Sequence, residues 1–108
     1  MSTPRTPPPR RGAATGSGAR PTPVSDLLRA TVVAIRRLEV ARALAPDARR
    51  VECRAVDRML RSAVDRHPVS YEGGVSGRSA LRVACAHLVI GDLEDAYYAL
   101  LTARDVLR

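Results

Sequence analysis

From Leu27 onward the apolar side chains recur at spacings of three and four, and almost none of them is bulky. The chain has no Trp and no Phe, and its aromatic residues are Tyr71, Tyr97 and Tyr98. Spacing of that kind draws one apolar stripe along an α-helix, whereas a half-buried strand needs strict alternation. Ala, Leu and Val supply most of the 45% of residues that are apolar, which excludes an aromatic-rich β-sandwich. With 108 residues there is room for one domain. The expected fold class is all-α: a small antiparallel four-helix bundle with a disordered basic N-terminal arm.

The arm is defined by composition. Residues 1–23 contain six of the eight prolines, Arg5, Arg10, Arg11 and Arg20, no acid, and no aliphatic larger than Ala after Met1. Such a stretch cannot bury enough surface to offset its ordering entropy. The helical domain is expected over 24–108, where 14 Arg face 11 acids, so much of the net charge of +7 sits in the arm. All 18 basic residues are Arg, and only two Ile occur, as GC-rich codons produce. The placement of the arginines is therefore more informative than their number.

Four helices are expected, over about 25–45, 47–66, 79–90 and 92–107. Ser25 caps the first, and Pro46 ends it. Its inner face is Leu27, Thr31, Ala34, Leu38, Ala41 and Ala45, and a second strip, Val33, Val40 and Leu44, runs along another side. Asp47 caps the second helix, which buries Val56, Met59, Leu60, Ala63 and Val64 and is closed by His67 and Pro68. Residues 69–79, with three glycines, read as a loop, after which Ser76 or Ser79 caps the third helix. That helix is so apolar that a central position is expected for it. Gly91 suits a left-handed helix end, and Asp92 then caps a fourth helix that buries Leu93, Ala96, Leu100, Ala103 and Leu107 while presenting Tyr98 and Thr102 outward.

The final hairpin, from Ala80 to Leu107, resembles a tetratricopeptide repeat unit. Gly91 to Ala103 is similar to that family's turn and second helix, with Ala96, Leu100 and Ala103 at its small-aromatic-small positions. Ala80 stands where the family has Trp, and His87 where it has Tyr. The resemblance covers under a third of the chain, with no second copy at an offset of about 34 residues. It implies a helix hairpin that binds peptides or proteins, without catalysis.

The chemistry-bearing residues are sparse. Glu72 to Ser79 departs from a phosphate-binding loop at its first position and has Arg78 in place of Lys, so a linker is expected there. Cys53 and His67 would lie about 21 Å apart along one helix, and Cys85 and His87 point about 200° apart, so neither pair shares a metal ion. Two cysteines are too few for a disulfide framework, and reduced, buried thiols are expected. No activated nucleophile pair is visible. The expectation is a non-enzyme with no cofactor and no metal.

Two kinds of partner remain. Val33, Val40, Leu44, Tyr98 and Thr102 are the candidate interface for a protein partner or a second copy of the chain. Arg50, Arg54, Arg58 and Arg61 follow spacings of four, four and three, and are the candidate phosphate contacts if the partner is nucleic acid, with the basic arm adding attraction. No segment approaches the roughly 20 apolar residues of a membrane span, and the start of the chain lacks a signal-peptide core, so a cytoplasmic location without membrane association is expected.

Overall fold

The computed structural model describes residues 23–66 and 72–108, with side chains from 26–66 and 75–108. It contains four helices: α1 (Pro23–Ala41), α2 (Pro46–Arg66), α3 (Glu72–Val89) and α4 (Leu93–Leu107). Among the described residues there is no strand. The N-terminal arm, apart from Pro23, and residues 67–71 lie outside that range, including His67, Pro68 and Tyr71.

The helices form a closed ring in which α1 packs on α2 and α4, and α3 packs on the same two, while the diagonals barely meet. Each neighbouring pair is antiparallel, as the cross-helix partners Arg37 with Glu52 and Arg42 with Glu94 require. The core is one thin column. Leu27, Leu38, Leu60, Leu81, Leu88 and Leu100 are fully buried, and Ala34, Ala63, Ala84, Ala96 and Ala103 let the helices approach closely between them. Each such leucine contributes about 1.5–3 kcal/mol by leaving water. Thr31 is the only buried polar residue on the apolar stripes among those described, and its hydroxyl donates to the Leu27 carbonyl at 2.7 Å, which removes the cost of burying it.

Helix boundaries follow local chemistry, with three departures from the sequence expectation. First, α1 starts at Pro23, before Ser25, and stops at Ala41 rather than near Ala45. The amides of Ala43 and Leu44 bond three residues back, to Val40 and Ala41, tightening the chain into a turn. Pro46 opens α2 instead of closing α1: a proline at the first helical position sacrifices only an amide that would have no partner, and it turns Ala45 out of the helical region. Asp47 accordingly sits inside the first turn rather than at the cap.

Second, residues 72–79 are helical, so Gly73, Gly74 and Gly77 belong to α3, neither Ser76 nor Ser79 is a cap, and the phosphate-loop geometry does not arise. The glycines signalled a loop, but at Gly77 the absence of a side chain serves packing. A Cβ there would lie 2.5 Å from Leu107 Cδ2 and 2.7 Å from its Cγ. Third, α3 is not central. It is one corner of the ring, and Val75, Val83, Val89 and Ile90 are 49%, 51%, 54% and 75% exposed.

The α3–α4 turn matches its sequence signals. Gly91 has φ +79°, the Asp92 amide reaches back to the His87 carbonyl at 2.9 Å, and Asp92 Oδ1 accepts from the Asp95 amide at 3.2 Å.

The two hairpins share one layout. In the first, the matched buried positions are 27, 31, 34, 35 and 38, then 53, 56, 60 and 63; in the second, they are 77, 81, 84, 85 and 88, then 93, 96, 100 and 103, while Ala41, Val64 and Leu107 are buried outside this match. The spacing of the matched positions within each helix is the same, and the connection differs in length. The polar contacts correspond as well, Arg37 with Glu52 in one hairpin and His87 with Asp92 in the other.

Gly77→Ala gains up to about 1 kcal/mol of helix propensity but drives a methyl into Leu107, an overpacking that costs about 1–3 kcal/mol. The expected outcome is a lower urea midpoint for Gly77→Ala than for the wild type, with the difference largely removed in a Leu107→Ala background. A higher midpoint would show that the α3–α4 approach is not tight.

Candidate functional site

The ring geometry gives every helix an inner half, which is buried, and an outer half, which is not. What the outer halves carry is then decided by the sequence. On the α1–α4 seam the outer positions are polar and interlocked. Arg42 makes a two-pronged contact with Glu94, Nε to Oε2 at 3.0 Å and Nη2 to Oε1 at 2.6 Å, and its guanidinium lies 4.7 Å from the centre of the Tyr97 ring. The Tyr97 phenol donates to Glu39 at 2.9 Å, and that bond holds its proton above the usual phenol range. Arg42 in turn keeps the Glu94 carboxyl below its ordinary range.

The α1–α2 side is different. Arg37 donates to both oxygens of Glu52, at 2.7 and 3.0 Å, which holds that carboxyl low. On the same side of α1 lie Val33 and Val40, 40% and 67% exposed. Val33 lines a groove with Ala30, Met59 and Ala63, edged by Arg29 and Arg66. α4 does not cover this strip, because it meets α1 through Glu39 and Arg42. Leu44 departs from the expected strip: it lies in the turn after α1, is partly buried against the core, and gives its carbonyl to Arg49.

Tyr98 is 61% exposed on α4, and the exposed Thr102 donates its hydroxyl to the Tyr98 carbonyl at 3.2 Å. These two are neighbours of each other and not of Val33 and Val40. The five residues of the expected interface therefore fall on separate sides of the ring.

The α3–α4 side carries an exposed pair on the helix for which a central position is expected from its apolar sequence. Val83 in α3 and Ile90, in the turn that follows it, stand at a constant offset of 50 from Val33 and Val40 of α1. His87 lies between them, as Arg37 lies between the first pair. A search for the repeated spacing of the two hairpins, allowing for their unequal connections, would have revealed this; a search at one fixed offset does not.

The arginine ridge is exposed throughout, but only part of it is free. Arg61 donates to Asp57 at 2.8 Å, and Arg50 approaches Asp47 at 3.5 Å. Arg54 and Arg58 have no ion pair among the described residues. Arg82 of α3 joins this side, lining a cleft with Arg61, Val64, Asp65 and Cys85, a contribution that periodicity along α2 alone could not indicate.

Two other clusters have clear chemical assignments. His87, Asp92 and Asp95 place ligand-type atoms within 4.8 Å of one another. Asp92 already caps α4 with one oxygen, and the positive end of that helix opposes a bound cation. A hydrogen bond and the negative charge of Asp92 push the Asp95 carboxyl above its usual value. The cysteines are free and buried. Burial raises the Cys53 thiol, and burial together with a hydrogen bond to Asp57 raises the Cys85 thiol to about 12.

That shift sets a pH dependence. The Cys85 thiol is protonated in the fold well above the value of an unfolded thiol, so its contribution is fully present below about pH 9 and is lost as pH rises towards 12. The urea midpoint is expected to fall above pH 9, and to fall less steeply in Cys85→Ala; equal slopes would place the thiol in water. Thiol reagents at pH 8 are expected to modify the native protein far more slowly than the denatured chain.

No family model, curated protein or solved structure matches this chain.

Proposed function

We propose that the helical domain is a non-catalytic protein-interaction module. The observation that carries this reading is the pair of outward aliphatic strips, Val33 with Val40 and Val83 with Ile90, each at one-face helical spacing and each from 40% to 75% exposed. Scattered single apolar residues are ordinary on a protein surface, but a repeated stripe is the feature that partner-binding helices carry. The resemblance of the last hairpin to a tetratricopeptide unit supports the same class of function. The pairs and clusters of titratable groups are occupied by helix capping, by ion pairing or by burial, which supports a binding role over a chemical one. Among the described residues no helix is long and apolar enough to cross a membrane.

A second reading has its own observation. Arg54, Arg58 and Arg82 lie along the α2–α3 side without ion partners, and each could neutralise a phosphate. Against it, Asp57 and Asp65 sit within the same side, and among the described residues no aromatic there could stack on a base.

Salt separates the two. A duplex held by several arginines loses affinity steeply between about 50 and 200 mM salt, whereas an apolar protein contact changes little. Affinity capture from cells expressing the full chain, repeated with Val40→Asp and Ile90→Asp, is expected to lose its protein partners with at least one substitution, while duplex DNA stays unbound at 200 mM salt. Partners retained by both variants, or duplex binding that disappears in Arg54→Ala/Arg58→Ala, would contradict the protein-interaction reading.

A further inference from the structure

The two aliphatic strips lie on opposite sides of the ring, because α1 and α2 form one side and α3 and α4 the other. They are equal in layout and unequal in charge. On α1, Arg36 is exposed, stands between Val33 and Val40 along the helix, and has no ion partner among the described residues. On the opposite side, Asp95 stands close to His87, which itself lies between Val83 and Ile90, so the negative charge is at the middle of the second strip. Asp95 and Asp92 bring two carboxylates together beside His87, with Arg42 and Arg49 reaching Asp92 from the α1–α4 end. One side thus offers a cation at the height where the other lacks one.

From this complementarity we propose that the chain self-associates head to tail, the Val33–Val40 side of one copy seating on the Val83–Ile90 side of the next with Arg36 directed at Asp95. This rests on the protein-interaction reading and names the partner as a second copy. The contact is heterologous: each copy keeps one side of each kind unused, so growth continues past the dimer unless the rotation closes a ring. The side is small. α4, with 15 residues, is about 22 Å long, and two helix widths make a patch on the order of 500 Å², below the roughly 800 Å² per partner of a stable complex. The association is therefore weak and concentration-dependent.

Sedimentation of the full-length protein, from low micromolar to the solubility limit, tests it. The weight-average mass is expected to rise beyond that of a dimer. Val40→Asp and Ile90→Asp, both at strongly exposed positions and so compatible with folding, are each expected to weaken self-association by more than about tenfold. Mixed in equal amounts they are expected to form a capped dimer, since each retains the side that the other lacks. Circular dichroism is the check that both variants are helical. A wild-type mass that plateaus at the dimer with one variant still dimeric alone would show a two-fold contact and overturn the head-to-tail arrangement. A monomer at all concentrations would overturn self-association. In that case capture that still depends on Val40 and Ile90 leaves the interaction reading standing, and capture insensitive to both removes it.

Discussion

Close approach between helices built from alanine and leucine governs everything else in this fold. Without Phe or Trp there is no side chain long enough to bridge the centre of a wide bundle, so the helices draw in around one narrow column until alanines meet. The contact of Gly77 with Leu107 is the extreme case, where even a methyl group has no room. A narrow column can bury only the inner half of each helix. The sequence carries more apolar residues than that column accepts, and the surplus stands outside.

Where the surplus falls is not uniform. The α1–α4 seam is closed at one end by Arg42, Glu94, Tyr97 and Glu39, which bind one another. The α1–α2 and α3–α4 sides are each spanned by one polar pair, Arg37 with Glu52 and His87 with Asp92, and flanked by two aliphatic residues. The recurrence of this layout in two hairpins makes the sides alike in shape, and the difference between Arg36 and Asp95 makes them unlike in charge. Those two properties together are what a surface needs to be complementary to its own chain.

The number and type of helices, most buried positions and the Gly91–Asp92 turn were legible from spacing and capping residues, because each depends on chemistry within a few positions. The start of α3 was not. Gly73, Gly74 and Gly77 carry a strong local signal for a loop, and only the demand for close packing against α4 overrides it. The end of α1 was misplaced for a related reason: a proline that stops one helix is also suited to begin the next, and the sequence does not say which. The candidate interface was partly legible. Val33 and Val40 were identifiable as a second strip, but Leu44 folds back onto the core, and Val83 and Ile90 lie in a stretch so apolar that a central position is expected for it, because hydrophobicity alone does not reveal which half of a helix faces a neighbour. Arg82 was missed since it joins the arginine ridge across a helix boundary.

The central claim, that two alike and oppositely charged sides lie across the bundle from each other, is tested most directly by the shape of what forms at high concentration. Small-angle scattering over a concentration series measures length and cross-section separately. Growth along one direction at constant cross-section is the predicted result, as copies stack through opposite sides of the bundle. A particle whose dimensions stay fixed with concentration, or one that thickens without lengthening, contradicts it.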